Sequence, residues 1–349
     1  MTDTTTPSHS PEHDYRRVLV TGGAGFIGIE MVRQLHAKGL RVVVYDLDRQ
    51  IERARPYLPA GVDLVFGSVL DRAALREAVD GCDAIIHLAA VLGVAKTEAN
   101  RLHTLEVNVN GTQNVLDAAR SHRVKKVTFA SSSEVYGEPF ETPVTEQTPT
   151  QGKTVYAVSK MMGEELCKAY SQRFPELSCT IVRFFNTYGP YQVAEFVLTR
   201  FIRSAMQGQS PFINGDGLQT RGYCYVEDSC RGTIDATFSK ECDGRVLNIG
   251  NSDERHTLQD LARLVIRITG QEGKLEPVFD ASFQRGDRTR DREIFQRLCD
   301  TSLAKSLIGF QAKISVEEGI RRIVAAGLPT ATWTEPRNFV IDREVSTPR

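Results

Sequence analysis

From Arg16 onward the sequence switches repeatedly between short β-branched runs and longer segments of helical spacing, and that alternation restricts the fold most. "RRVLVTGG" reads as a strand ending in glycine, and "FIGIEMVRQLHAKG" as a helix closed by Gly39. The strands "RVVVYDLD", "VDLVFGSV" and "DAIIHLAA" follow, with the helical "DRAALREAVDG" between the last two. A long helical stretch, "NRLHTLEVNVNGTQNVLDAARSHR", leads into "KKVTFASSS"; another helix begins near Tyr156, and "SCTIVRFFN" is a sixth strand. Apolar strands without strict alternation suit a parallel sheet covered on both faces. Strand–helix alternation at this spacing predicts a doubly wound α/β sheet. After Asn186 the rhythm loosens into short strands, helices and glycine turns. The expected organisation is a loose tail over 1–14, a main domain over 15–186, and a smaller α/β substrate lobe over 187–330. That lobe is partly interleaved with the first domain, and a second tail covers 331–349.

Composition narrows the partners. Lysine plus arginine (43) balance aspartate plus glutamate (44), so no global field favours nucleic acid or an anionic membrane. The seven cysteines are scattered with no C-x-x-C pair, so no metal site is expected and a reduced, cytoplasmic protein is the simplest reading. No apolar run reaches the roughly 18 residues of a membrane span, and "MTDTTTPSHSPEHD" lacks the apolar core of a signal peptide.

"TGGAGFIG" sets Gly22, Gly25 and Gly28 at the junction of the first strand and first helix. Residues without Cβ let backbone approach a pyrophosphate there, and the helix start offers free N–H groups to it. The alternative is a plain turn. Asp46 ends the second strand about 20 residues on, where a carboxylate accepts from an adenosine ribose. It would repel a 2′-phosphate, so the expected cofactor is NAD in a Rossmann-type domain, although Arg41 and Arg49 lie close in sequence.

"YAVSKMMGEEL" places Tyr156 and Lys160 four apart on one helix face. A tyrosine near pKa 10 is a poor base at neutral pH; an ammonium beside it, with a positive nicotinamide ring, favours the phenolate. The alternative is a surface tyrosine beside a solvated lysine.

"TGGAGFIG", "HLAA", "SSSEVYG", "YAVSK" and "RFFNTYGP" occur in the order and spacing of the extended short-chain dehydrogenase/reductase family. The chain resembles that family's nucleotide-sugar epimerases, 4,6-dehydratases and UDP-glucuronate decarboxylases over roughly residues 16 to 325. The resemblance implies that Tyr156 takes a sugar hydroxyl proton as hydride leaves for NAD, that Lys160 binds the nicotinamide ribose, and that Ser132 bonds the reacting hydroxyl. It implies backbone contacts to pyrophosphate at Phe26 and Ile27, and a cofactor cleft lined by Val69, Leu88, Ala89 and Ala90, with Asn108 near the nicotinamide. Asn186 and Arg221 match positions that grip a sugar-nucleotide diphosphate, and a second arginine is expected among Arg285, Arg288 and Arg290. The pairing helices of family dimers resemble those around 100–120 and 156–170, which implies a homodimer.

The two residues after Ser132 vary with reaction in that family, and here they are Ser133 and Glu134. Once C4 is a ketone the C5 proton is acidic, and a carboxylate could remove it; alternatively Glu134 only orients a neighbour. Ser133 stands where dTDP-type dehydratases have an aspartate, Tyr191 where many glucuronate-handling relatives have arginine, and Ser68 where an aspartate contacts adenine. The expected outcome is NAD-dependent 4-epimerisation of a nucleotide-diphosphate sugar, with 4,6-dehydration and glucuronate decarboxylation as alternatives and a non-catalytic dinucleotide sensor as the rival of another class. His87 is expected to be a packed structural residue, and Asp228 to cap its helix.

Overall fold

A computed structural model describes residues 15–192, 196–280 and 294–327, the side chain of Val94 excepted. Both tails, 1–14 and 331–349, and Arg285, Arg288 and Arg290 lie outside the described residues. Seven strands form one sheet: β1 (Arg17–Thr21), β2 (Arg41–Asp46), β3 (Asp63–Phe66), β4 (Ala84–His87), β5 (Lys126–Ser132), β6 (Ser178–Phe184) and β7 (Val246–Ile249). Their order is β7-β6-β5-β4-β1-β2-β3, and every neighbouring pair is parallel. The chain reverses direction of travel between β1 and β4, the switch point at which open α/β sheets bind ligands beyond the strands' carboxyl ends.

Both faces are covered, as the strand composition demands. Val18 and Val20 of β1 pack into one apolar cluster with Ile29, Val32 and Leu35 of α1 (Phe26–Ala37), while Leu19 between them joins another. That second cluster holds Val43 and Tyr45 with Leu75 of α2 (Arg72–Val79), Val115 and Leu116 of α3 (Gly111–Ser121) and Cys167 of α4 (Val155–Arg173). Burying each large aliphatic side chain contributes about 1.5–3 kcal/mol, so period-2 partition of unbroken apolar strands holds both helical layers. The long stretch before β5 is helical as expected but widens to a π-helical turn over Glu106–Asn110 before α3.

β7 went unread in the sequence because it is four residues long and follows a turn rather than a crossover of typical length. It completes the sheet beside β6, in register Val246↔Ile181 to Ile249↔Phe184. Helix α5 (Val226–Phe238) packs against α1, bringing the later half of the chain onto the cofactor domain.

Candidate active site

Helix α4 begins at Val155 because Thr154 caps it, its hydroxyl accepting from the Ala157 N–H at 3.1 Å. This cap fixes Tyr156 in the first turn and Lys160 one turn later. The helix lies close on β5 because residue 163 is glycine: a Cβ there would stand 2.3 Å from Cζ of Phe129. The Lys160 ammonium donates to the Ala130 carbonyl at 2.7 Å and sits 5.8 Å from the Tyr156 ring centre.

β5 ends in Ser132, whose hydroxyl accepts from the Glu134 N–H at 3.2 Å and starts the short turn Ser133–Tyr136. The same hydroxyl lies near the Tyr156 phenol and favours its ionised form. Thus the structure brings Ser132, Tyr156 and Lys160 together. Glu134 is buried beside them, and Arg297 meets it at 2.7 Å from Nη1 to Oε1, with only 9% of either side chain exposed. The Nε and Nη2 atoms of Arg297 are buried and find no hydrogen-bond partner among the described residues. Sequence reasoning missed Arg297; the isolated "QRLCD" has no spacing that would single it out. It sits in the strand Gln296–Arg297, parallel to Thr220–Arg221 with Arg297 opposite Arg221. Arg221 donates to the Thr220 and Phe295 carbonyls, and the Asn186 amide donates to Gly222, holding these strands at the mouth of the cleft. Asn186 has φ of 36° and Tyr191 of 68°, left-handed backbone uncommon for non-glycine residues and concentrated in this segment.

Electrostatics departs from expectation. Burial, then the charge of Glu134, pushes the Tyr156 phenol well above its ordinary value, against the pull of Ser132 and Arg297. Lys160 alone therefore does not bring the phenol toward neutrality, because a half-buried phenolate loses part of its water and faces a carboxylate. Burial also lowers the Lys160 ammonium to about 8, against Cys167 and Glu164.

At the other end of the cleft, Gly22 takes φ of 71°, and a Cβ on Gly28 would lie 2.2 Å from the Gly22 carbonyl oxygen. The turn closes only with hydrogen at both positions. Gly25 starts α1 with no side-chain cap, which leaves the first amides, those of Phe26, Ile27 and Gly28, for an anion. Asp46 accepts from the Ala24 and Leu47 N–H groups at 3.1 and 2.8 Å, and burial raises its carboxyl to about 6. Arg41 lies at the opposite end of β2, away from Asp46. These residues fit a dinucleotide: uncapped amides for pyrophosphate, an acceptor for ribose. Val69 lies against Gly111, where a Cβ would meet its Cγ2 at 2.5 Å, and its carbonyl accepts from Asn114. Ser68 accepts from Leu70 N–H through its hydroxyl and from Tyr45 through its carbonyl. Leu88 follows β4, its N–H donating to Thr21, and Ala89 backs onto Gly22; Ala90 is half-buried beside them.

Asn108 is buried beside the helix that carries Tyr156 and Lys160. Its amide bonds the Val91 N–H and C=O at 2.8 and 3.0 Å and the Ser159 hydroxyl at 2.9 Å, tying the loop after β4 to α4. His87 is fully buried, its ring nitrogens bonded to the Thr21 and Thr112 hydroxyls at 2.6 and 3.0 Å, and burial lowers it to about 3: a packed, neutral group. Asp228 does not cap its helix, which starts earlier at Val226. Its carboxylate accepts instead from Lys313 and Ile314 N–H and from Arg231.

Known proteins are similar to this chain in sequence and fold. A UDP-N-acetyl-alpha-D-glucosaminuronate decarboxylase of Bacillus cytotoxicus is 34% identical over 319 residues, 88% of this chain and 97% of that protein. The structure of the UDP-glucose 4-epimerase of Thermotoga maritima with UDP-glucose superposes with a TM-score of 0.80 at 28% identity, over 88% of this chain and 97% of that one. The UDP-glucuronic acid 4-epimerase of Bacillus cereus, solved with UDP-glucuronic acid and NAD, gives 0.78 at 27% identity over 88% and 97%. The model of the NAD dependent epimerase/dehydratase family matches residues 18–250. With its parallel sheet, glycine turn and Tyr–Lys–Ser cluster at the switch point, the chain belongs to that family and is an NAD-dependent enzyme of nucleotide sugars.

Proposed function

We propose that this enzyme acts on a UDP-uronate, oxidising C4 and then releasing C6 as carbon dioxide. The observation that carries this reading is Arg297: a buried guanidinium with two nitrogens that find no partner among the described residues, bridged to Glu134 and close enough to act on Tyr156. A fork of N–H donors matches a carboxylate, and of the sugars in question only a uronate brings one at C6. A buried ion pair is costly to desolvate, and C4 oxidation alone requires neither member of it.

The Gly22–Gly28 turn, the α1 amides and Asp46 would hold NAD, which would supply the acceptor and donor of the C4 hydride and a positive charge near the phenol. Tyr156 takes the C4 hydroxyl proton while Ser132 holds that oxygen and Lys160 stabilises the phenolate. The ketone is then β to the C6 carboxylate. Arg297, oriented by Glu134, fixes the direction of the C5–C6 bond; that bond breaks, its electron pair passes to the C4 oxygen as an enolate, and carbon dioxide leaves. C5 takes a proton from solvent water, C4 regains its hydride, and Tyr156 returns its proton to the C4 oxygen. Arg221 and Asn186 face the diphosphate.

Incubation with UDP-glucuronate and UDP-N-acetylglucosaminuronate, read by mass spectrometry and NMR, should show a UDP-pentose or its amino-sugar counterpart and carbon dioxide. Unchanged mass with inverted C4 would establish 4-epimerisation instead. That is the second reading, favoured by a Ser132–Tyr156–Lys160 trio sufficient for it without Arg297.

Exposed apolar side chains on α4, Val158 and Met162 one turn apart, with Leu102 on the neighbouring helix, support a homodimer through this face; light scattering tests it. Seven free thiols support a reducing compartment such as the cytoplasm.

A further inference from the structure

Behind the catalytic trio lies a buried ion pair that the chemistry above leaves unused. Glu164 of α4, one turn beyond Lys160, takes two bonds from Arg183 of β6: Nε to Oε1 at 2.9 Å and Nη2 to Oε2 at 2.6 Å. Only 5% of the Arg183 side chain and 3% of the Glu164 side chain are exposed. The carboxylate also accepts from Ser131, the residue before Ser132. Arg183 donates its remaining Nη1 to the Tyr136 hydroxyl at 2.9 Å, and Tyr136 donates to Asn248 of β7 at 2.7 Å. Tyr136 closes the turn that begins with Ser133 and Glu134. One network therefore touches both carriers of the reacting groups: the helix with Tyr156 and Lys160, and the strand end and turn with Ser132 and Glu134.

We propose that Glu164 and Arg183 are the positioning residues of this active site, locking α4 to the Ser131–Tyr136 segment so that phenol and serine converge on one sugar hydroxyl. A bidentate pair held at both ends by further bonds fixes orientation as well as distance. The carboxylate has a second effect, through charge. Lys160 is faced by Tyr156, Glu164 and the neutral thiol of Cys167 on its own helix, by the Ala130 carbonyl of β5 and by uncharged His87 of β4. Glu164 is the carboxylate among them that favours the ammonium, with the Arg183 cation directly behind it. Removing its charge makes Lys160 deprotonate at lower pH.

The inference rests on NAD-dependent oxidation at C4 and not on the fate of C6. Its readout is therefore the NADH absorbance formed in a single turnover of holoenzyme on UDP-glucuronate or UDP-glucose, before any C5 or C6 step. Tyr136→Phe and Ser131→Ala each remove one link and keep the ion pair. Both should lower that rate about tenfold or more with KM within about twofold, and speed amide exchange in the peptide spanning 131–137. Glu164→Gln should in addition move the alkaline limb of the rate about one pH unit lower. Should Glu164→Gln fail to fold, the two single-link variants decide. Wild-type oxidation rates and unchanged exchange in those two variants would overturn the proposal. A Glu164→Gln enzyme that loses thermal stability but keeps the wild-type rate and limb would overturn it as well.

Discussion

Replacing Arg297 with methionine separates the energetics of the buried pair from its chemistry. Both side chains are 9% exposed and meet at 2.7 Å, so solvent screening offers little relief once the guanidinium is gone. Removing one partner of such a pair leaves an uncompensated buried charge and costs about 3–5 kcal/mol. Replacing both with apolar or neutral groups of similar size is close to neutral. The expected pattern in urea unfolding at pH 7 is thus a large loss in Arg297→Met, a large loss in Glu134→Gln, and a much smaller loss in the double variant. The coupling is the difference between the sum and the double. In turnover assays on a UDP-uronate, Arg297→Met should still form NADH transiently and should release carbon dioxide far more slowly. Additive stability losses would show that the two side chains do not depend on each other. Undiminished carbon dioxide release would remove Arg297 from the chemistry.

Tyr156→Phe should abolish NADH formation on every nucleotide sugar while leaving NAD bound, because only the phenol hydroxyl near Ser132 is lost; single-turnover absorbance checks it. The oxidation rate should fall as pH rises through about 8, where Lys160, lowered from 10.5 mainly by burial, gives up the charge that supports the phenolate; a pH–rate profile with Lys160→Met as reference measures it. Gly28→Ala should fail to retain NAD and should unfold at lower urea, since its Cβ would lie 2.2 Å from a backbone oxygen with no room to yield; cofactor content of the purified protein and unfolding curves are the measurements.

The cofactor half of this fold was readable because its chemistry is local in sequence. Glycines at a strand–helix junction and an aspartate at the next strand end do their work within about 25 residues of each other. Tyr156 and Lys160 were readable for the same reason, sharing one helical turn. Arg297 was not. Its meaning comes from Glu134, more than 160 positions earlier in the chain, and from a two-residue strand that aligns it opposite Arg221. The raised phenol of Tyr156 was equally hidden, because burial is a property of the packed site. For Asn108 the helix position was legible, whereas the bonds to Val91 and Ser159 that occupy its amide depend on how a loop meets α4.

The contribution of β7 to the main sheet limits how this protein can be cut and recombined. Its residues lie some sixty positions beyond the end of β6, yet they satisfy that strand's outer edge. A chimera that keeps residues up to 186 and grafts on a foreign sugar-selecting half would inherit a bare parallel edge at β6, open to pairing between copies. Specificity exchange between relatives should therefore carry 246–249 and α5 along with the first half, moving only the stretches around them.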